Sequence, residues 1–167
     1  MSASHRARVW LIAAIVALTA VAFSRTAQAR VFRHPSGFRF WVPDGWKTTT
    51  SADGATITAS SNDGRAMISF AVAPRGADRH LLMREWGKQM RRLCSNARSA
   101  KPARRMVNDL DLEIIDGSGT MKGVPMDYSY GVYWRGPSNL IVVAVCANAQ
   151  MATYGETLVK TAESVRL

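Results

Sequence analysis

From Phe38 to Val42 the side chains alternate, with Phe38, Phe40 and Val42 on one side and Arg39 and Trp41 on the other. That period of two predicts a strand, and the bulk on both sides predicts a sheet covered on both faces. Pro43-Asp44-Gly45 turns the chain, and Trp46 to Thr50 continues as extended, β-prone sequence. Ala55, Ile57 and Ala59 alternate with Thr56 and Thr58, Asn62-Asp63-Gly64 supplies hairpin chemistry, and Met67 to Val72 makes the returning strand. Pro74-Arg75-Gly76 ends it, and Asp78 is placed to cap a helix by accepting from its first free amides.

Between about Arg79 and Ala97 the period changes. Leu82, Trp86, Met90, Leu93 and Ala97 recur at steps of three and four, which predicts a helix with one apolar stripe. At about 100° per residue, Arg84, Lys88, Arg91, Arg92 and Arg98 gather on the opposite side and give it a cationic outer face. Arg98 to Arg105, interrupted by Pro102, reads as a basic linker. An antiparallel meander follows over Leu110 to Thr120, Met126 to Trp134 and Leu140 to Cys146. Its last member is continuously apolar, as a central strand covered on both faces requires. Met151, Tyr154, Leu158, Ala162 and Val165 then share one side of a closing helix.

The N-terminus obeys a different logic. Arg6 and Arg8 precede an uncharged apolar stretch from Val9 to Phe23, and Ala27-Gln28-Ala29 supplies the small-x-small pattern of a signal-peptidase site before Arg30. A helix rises about 1.5 Å per residue and a bilayer core is about 30 Å thick, so this stretch is short for a span and residues 1–29 are expected to be a cleaved leader rather than an anchor. Residues 30–167 are then one domain, placed in the periplasm or outside the cell. Arg6, Arg8 and Arg25 are the only formal charges of the leader, so the net charge of +10 falls by three on cleavage and the product stays basic. Outside the cytoplasm such a balance points to acidic lipids, envelope polymers or acidic proteins rather than nucleic acid.

Cys94 and Cys146 both fall in the exported part, and an oxidising compartment favours a disulfide between them, worth up to about 4 kcal/mol in the loop-entropy picture; two buried free thiols are the alternative. Two cysteines with a distant His34 and His80 show no zinc spacing, and no cofactor motif is present. Asp109, Asp111 and Glu113 alternate along a strand and predict a solvated acidic stripe that pairs with Arg104, Arg105 or the cationic helix. Trp41, Trp46, Trp86 and Trp134 are core candidates first, which argues against a stacking surface for bases.

Ser36-Gly37-Phe38-Arg39-Phe40-Trp41-Val42-Pro43-Asp44-Gly45-Trp46-Lys47 resembles the opening segment of PsbP/Mog1-like domains, and the order hairpin, long helix, meander, closing helix is similar to that family's layout over nearly the whole domain. The resemblance implies an α+β, three-layer α/β/α sandwich around a mostly antiparallel sheet. It implies a non-enzymatic binding or assembly role. The excess of positive charge on the helix makes Arg84, Lys88, Arg91 and Arg92 the candidate binding face for an envelope protein or anionic surface, including peripheral contact with a membrane. The alternative is an exported hydrolase using His34 or His80, both expected at the surface, although no nucleophile-elbow or cysteine-protease signature accompanies them.

Overall fold

The structure is a computed structural model that describes residues 30–34, 36–135 and 138–167. The expected leader, residues 1–29, lies outside the described residues. The chain runs β1 (Arg30–Arg33), β2 (Arg39–Val42), β3 (Lys47–Thr50), β4 (Thr56–Ser60), β5 (Ala66–Val72), α1 (Arg79–Leu93), β6 (Ser95–Ser99), β7 (Ala103–Val107), β8 (Leu110–Met121), β9 (Val124–Arg135), β10 (Ser138–Ala147) and α2 (Met151–Glu163). An antiparallel sheet is ordered β3-β4-β5-β10-β9-β8-β6, with β7 pairing along the same edge of β8 as β6. The long β8 thus carries two short strands end to end on one side.

The sheet separates two apolar clusters. One holds Ile68, Phe70, Leu112, Tyr133, Leu140, Val142 and Cys146 under α2 and the β1–β2 hairpin; the other holds Tyr128, Tyr130, Val132, Ile141, Val143 and Val145 under Met83, Met90 and Cys94 of the α1 segment. Consecutive residues of β10 face opposite clusters, so a strand with apolar side chains at every position is what this place demands. The architecture is a helix–sheet–helix sandwich of the α+β class.

Two hairpins of the first half use one device. Ser51-Ala52-Asp53-Gly54 and Ser61-Asn62-Asp63-Gly64 each place a serine hydroxyl on the aspartate carboxylate, at 2.5 Å and 2.6 Å, while the aspartate accepts the backbone N–H two residues on, from Ala55 and Arg65. The glycines sit at φ 69°, a left-handed conformation that a side chain would strain.

Four sequence expectations change. The strand Phe38–Val42 does not join the main sheet: β2 pairs with β1 in a separate hairpin that is completed by a bridge from Arg39 to Arg166, so Phe40 and Val42 are buried and Trp41 is only half-buried. The helix stops at Leu93, because Cys94 is extended at φ −115° and Asn96 turns left-handed at φ 55°. Its buried line is therefore Met83, Gly87 and Met90, Leu93 is 47% exposed, and Ala97 belongs to β6. The supposed basic linker contains β6 and β7, which exposed side chains concealed from a search for apolar periodicity.

The fourth correction is the disulfide, which is not formed. Cys94 and Cys146 are free and buried. The alternation of β10 commits Cys146 to the α2 face together with Leu140 and Val142, whereas Cys94 closes α1 on the other face. A bond would have to cross the sheet.

Candidate functional site

α1 is set on the sheet by three local features. Asp78 caps it, its carboxylate accepting from the N–H of Leu81 at 2.7 Å, and Arg91 and Arg92 occupy the last turn, where positive charge complements the helix dipole. Arg79 lays its guanidinium over the Trp134 ring at 4.2 Å, which ties the first turn to β9. Gly87 lies against the sheet, where an added Cβ would stand 3.0 Å from the Tyr130 hydroxyl, so the missing side chain lets the helix approach closely.

With Met83, Gly87 and Met90 committed inward, Arg84, Lys88, Arg91 and Arg92 are all exposed. Glu85 is the carboxylate among them. It accepts from Lys88 at 2.7 Å, and that hydrogen bond, with the surrounding positive charge of Lys88, Arg84 and Arg92, holds its carboxyl below the usual range. Among the described residues Arg84, Arg91 and Arg92 have no ion-pair partner; Arg98 on β6 is exposed too, but it pairs with Ser118, whose side chain alternates onto the α2 face of the sheet, so it stands apart from the α1 surface. Leu81 stands exposed among these cations, whereas Leu93 is exposed on the far side of the helix.

The neighbouring basic residues are used differently. Arg104 pairs with Glu113 at 3.0 Å and Arg105 with Glu163 at 3.0 Å. The acidic stripe is accordingly not a uniform solvated row: Asp109 sits in the β7–β8 turn at φ 63°, Asp111 is exposed, and Glu113 is buried with Arg104 as its partner. Sequence reasoning assigned Arg98 to the helix face, whereas it lies on β6. The run from Arg98 to Arg105 held the signal, but only the strand register separates its free cations from its paired ones.

The histidines part company. His80 is exposed in the first turn of α1. His34, expected at the surface, is 6% exposed because the turn into β2 folds over it. Its Nδ1 accepts the backbone N–H of Ser36 at 3.1 Å and meets the Ser36 hydroxyl at 2.8 Å, while Nε2 finds no partner among the described residues. The His–Ser distance suits proton transfer, yet the ring lacks a carboxylate to orient it, and neither side chain lines the hollows beside α2 or under the hairpin. Its evident work is to close a turn. Burial also raises both thiols above their usual range, the opposite of what an activated cysteine needs. Of the tryptophans, Trp46 is buried edge-on to Tyr154 at 5.9 Å and Trp86 packs against the α1 cluster.

No family model matches the sequence, and no curated protein matches it. Solved structures do. Cyanobacterial PsbP (CyanoP) from Synechocystis sp. PCC 6803 superposes with a TM-score of 0.66 at 10% identity, over 87% of this chain and 95% of its own. The chain has the PsbP/Mog1-like fold. A Pseudomonas aeruginosa protein of unknown function, PA94, described as a putative regulator, gives 0.54 at 12% identity over 84% and 97% of the two chains. LpqN of Mycobacterium tuberculosis, described as involved in cell envelope biogenesis, gives 0.50 at 10% identity over 84% and 91%. At these identities the likeness concerns the PsbP-like backbone, and the function has to be argued from this chain's own surface. No helix among the described residues is long and apolar enough to cross a membrane.

Proposed function

We propose that this protein is an exported, non-enzymatic binding or assembly domain that contacts an anionic envelope surface or an acidic envelope protein through the outer face of α1. The observation that supports this reading is the set of cations Arg84, Arg91 and Arg92 on one exposed helix, without ion-pair partners among the described residues. Most basic residues of an ordinary surface are interspersed with carboxylates; here a single glutamate serves the helix, and it is engaged by Lys88. Leu81 adds apolar area to the same surface, which suits shallow insertion among lipid headgroups. LpqN's described involvement in cell envelope biogenesis is consistent with such a role for a domain of this fold.

The test is co-sedimentation of residues 30–167 with vesicles of anionic or zwitterionic lipid across a salt series. Binding to anionic vesicles should weaken steeply as salt rises, since each contact within a Debye length of about 8–10 Å is screened. The triple variant Arg84→Glu, Arg91→Glu, Arg92→Glu should lose it. Wild-type binding that ignores salt, or a variant that sediments as before, removes α1 from the account.

A further inference from the structure

The face of the sheet under α2 carries a second feature, opposite in charge to α1. A hollow of about 390 Å³ runs between α2 and the strands β8, β9 and β10. It exists because facing positions are small: Ser129 and Ala144 on the sheet lie opposite Gly155 and Ala162 on the helix. Its walls are apolar, formed by Ile114, Leu158, Met151 and Val159. Met151 is 39% and Val159 50% exposed, so the helix places two large apolar side chains on a rim that none of the described residues covers.

One end of the hollow is acidic. Asp116 and Asp127 stand on adjacent strands two register positions apart, for Asp116 pairs with Ser129 and Asp127 with Ser118, so both side chains lie on one face of the sheet. Asp116 accepts the Ser129 hydroxyl at 2.6 Å through Oδ1, and Asp127 accepts from Asn148 at 2.8 Å through Oδ2. The other oxygen of each carboxylate has no hydrogen bond or ion pair among the described residues. Arg105 lines the same hollow, but its guanidinium is drawn to Glu163 at 3.0 Å. Two carboxylates with free oxygens therefore meet the mouth of an apolar trough, an arrangement that favours a positively charged, hydrogen-donating head and opposes an anionic one.

We propose that this trough binds a cationic amphiphile: an aliphatic chain lies along α2 against Ile114, Ala144, Leu158 and Val159, and an ammonium head is held by Asp116 and Asp127. The site is separate from the α1 face and does not depend on what that face contacts.

The experiment uses n-octylammonium, n-octanol and n-octanoate as probes below micelle formation, with methyl NMR of Met151, Ala144 and Val159 in residues 30–167 as the readout. Octylammonium is expected to shift these methyls and to bind at least about tenfold tighter than octanol, with octanoate weakest. Asp116→Asn with Asp127→Asn should bring octylammonium down to the octanol level, whereas Ala144→Leu should abolish all three by filling the floor. Should Ala144→Leu fail to fold, Val159→Gln on the exposed rim provides the same loss without touching the core. Unmoved methyls with octylammonium, or octanoate binding as well as octylammonium, would overturn the proposal.

Discussion

The Tyr133 hydroxyl donates to the backbone carbonyl of Ala162 at 2.6 Å, joining the C-terminal end of β9 to the last turn of α2 through the core. The ring is fully buried, and that burial pushes the phenol far above its ordinary range, so the hydroxyl stays a donor at any pH the fold survives. Tyr133→Phe keeps the ring and leaves the carbonyl without its partner. The expected cost is about 1–3 kcal/mol, read as a lowered denaturation midpoint with an unchanged denaturant slope. A variant as stable as the parent would mean that water satisfies Ala162.

How far the sequence reaches is clear from where it stops. The strand at Phe38 to Val42, the turns at Pro43-Asp44-Gly45 and Asn62-Asp63-Gly64 and the apolar run of β10 were legible because strand period and turn chemistry are local. The pairing of β6 and β7 end to end on β8 was not, because exposed edge strands such as Ala103–Val107 carry no apolar alternation. The cationic face was legible from helical spacing, since the step from Arg84 to Lys88 to Arg91 survives any small rotation of the stripe. The helix end was misjudged because it is set by a register shift between Ser95 and Arg98, a tertiary event. The acidic trough combines Asp116 and Asp127 with α2, elements far apart in the chain, and no spacing rule unites them.

The two cysteines give a direct check on the sheet. Because Cys94 and Cys146 occupy opposite faces, purified protein without reductant should contain two titratable thiols after denaturation and almost none before it. Reductant should leave the melting temperature unchanged. Intact mass showing an intramolecular disulfide would require the sheet to be assembled differently.

Acid should loosen the two serine–aspartate turns. The Ser61 hydroxyl, then the Arg65 N–H, lower the carboxyl of Asp63 from its usual 3.8, and Ser51 and Ala55 do the same for Asp53. A carboxyl whose folded value is depressed contributes its stability above 3.8, where both states are ionised, and loses it as pH falls through the lower folded value. Stability should therefore decline below about pH 4. Asp53→Asn with Asp63→Asn should flatten that limb while leaving the neutral limb parallel to the parent. An unaltered acid limb in denaturation curves would assign the decline to other carboxylates.

Gly119 and Gly155 should respond to alanine with opposite signs. Gly119 lies on β8 beneath the junction of α1 and β6, where an added Cβ would stand 2.8 Å from the Cys94 Cβ and 3.2 Å from the Ser95 carbonyl oxygen. Both neighbours are held by the chain, so relief demands moving backbone, and Gly119→Ala should cost about 1–3 kcal/mol. Gly155 lies within α2, and its added Cβ would meet the Met151 Cε at 3.1 Å, the far end of a flexible and partly exposed side chain. Met151 can swing aside, and removing a glycine from a helix interior gains about 0.8–1 kcal/mol, so Gly155→Ala should stabilise. Midpoints from chemical denaturation read both changes at once. A stabilising Gly119→Ala would show that β6 does not pass over β8 as closely as the register places it, whereas a destabilising Gly155→Ala would show that Met151 is pinned against the sheet and that the rim of the trough is rigid.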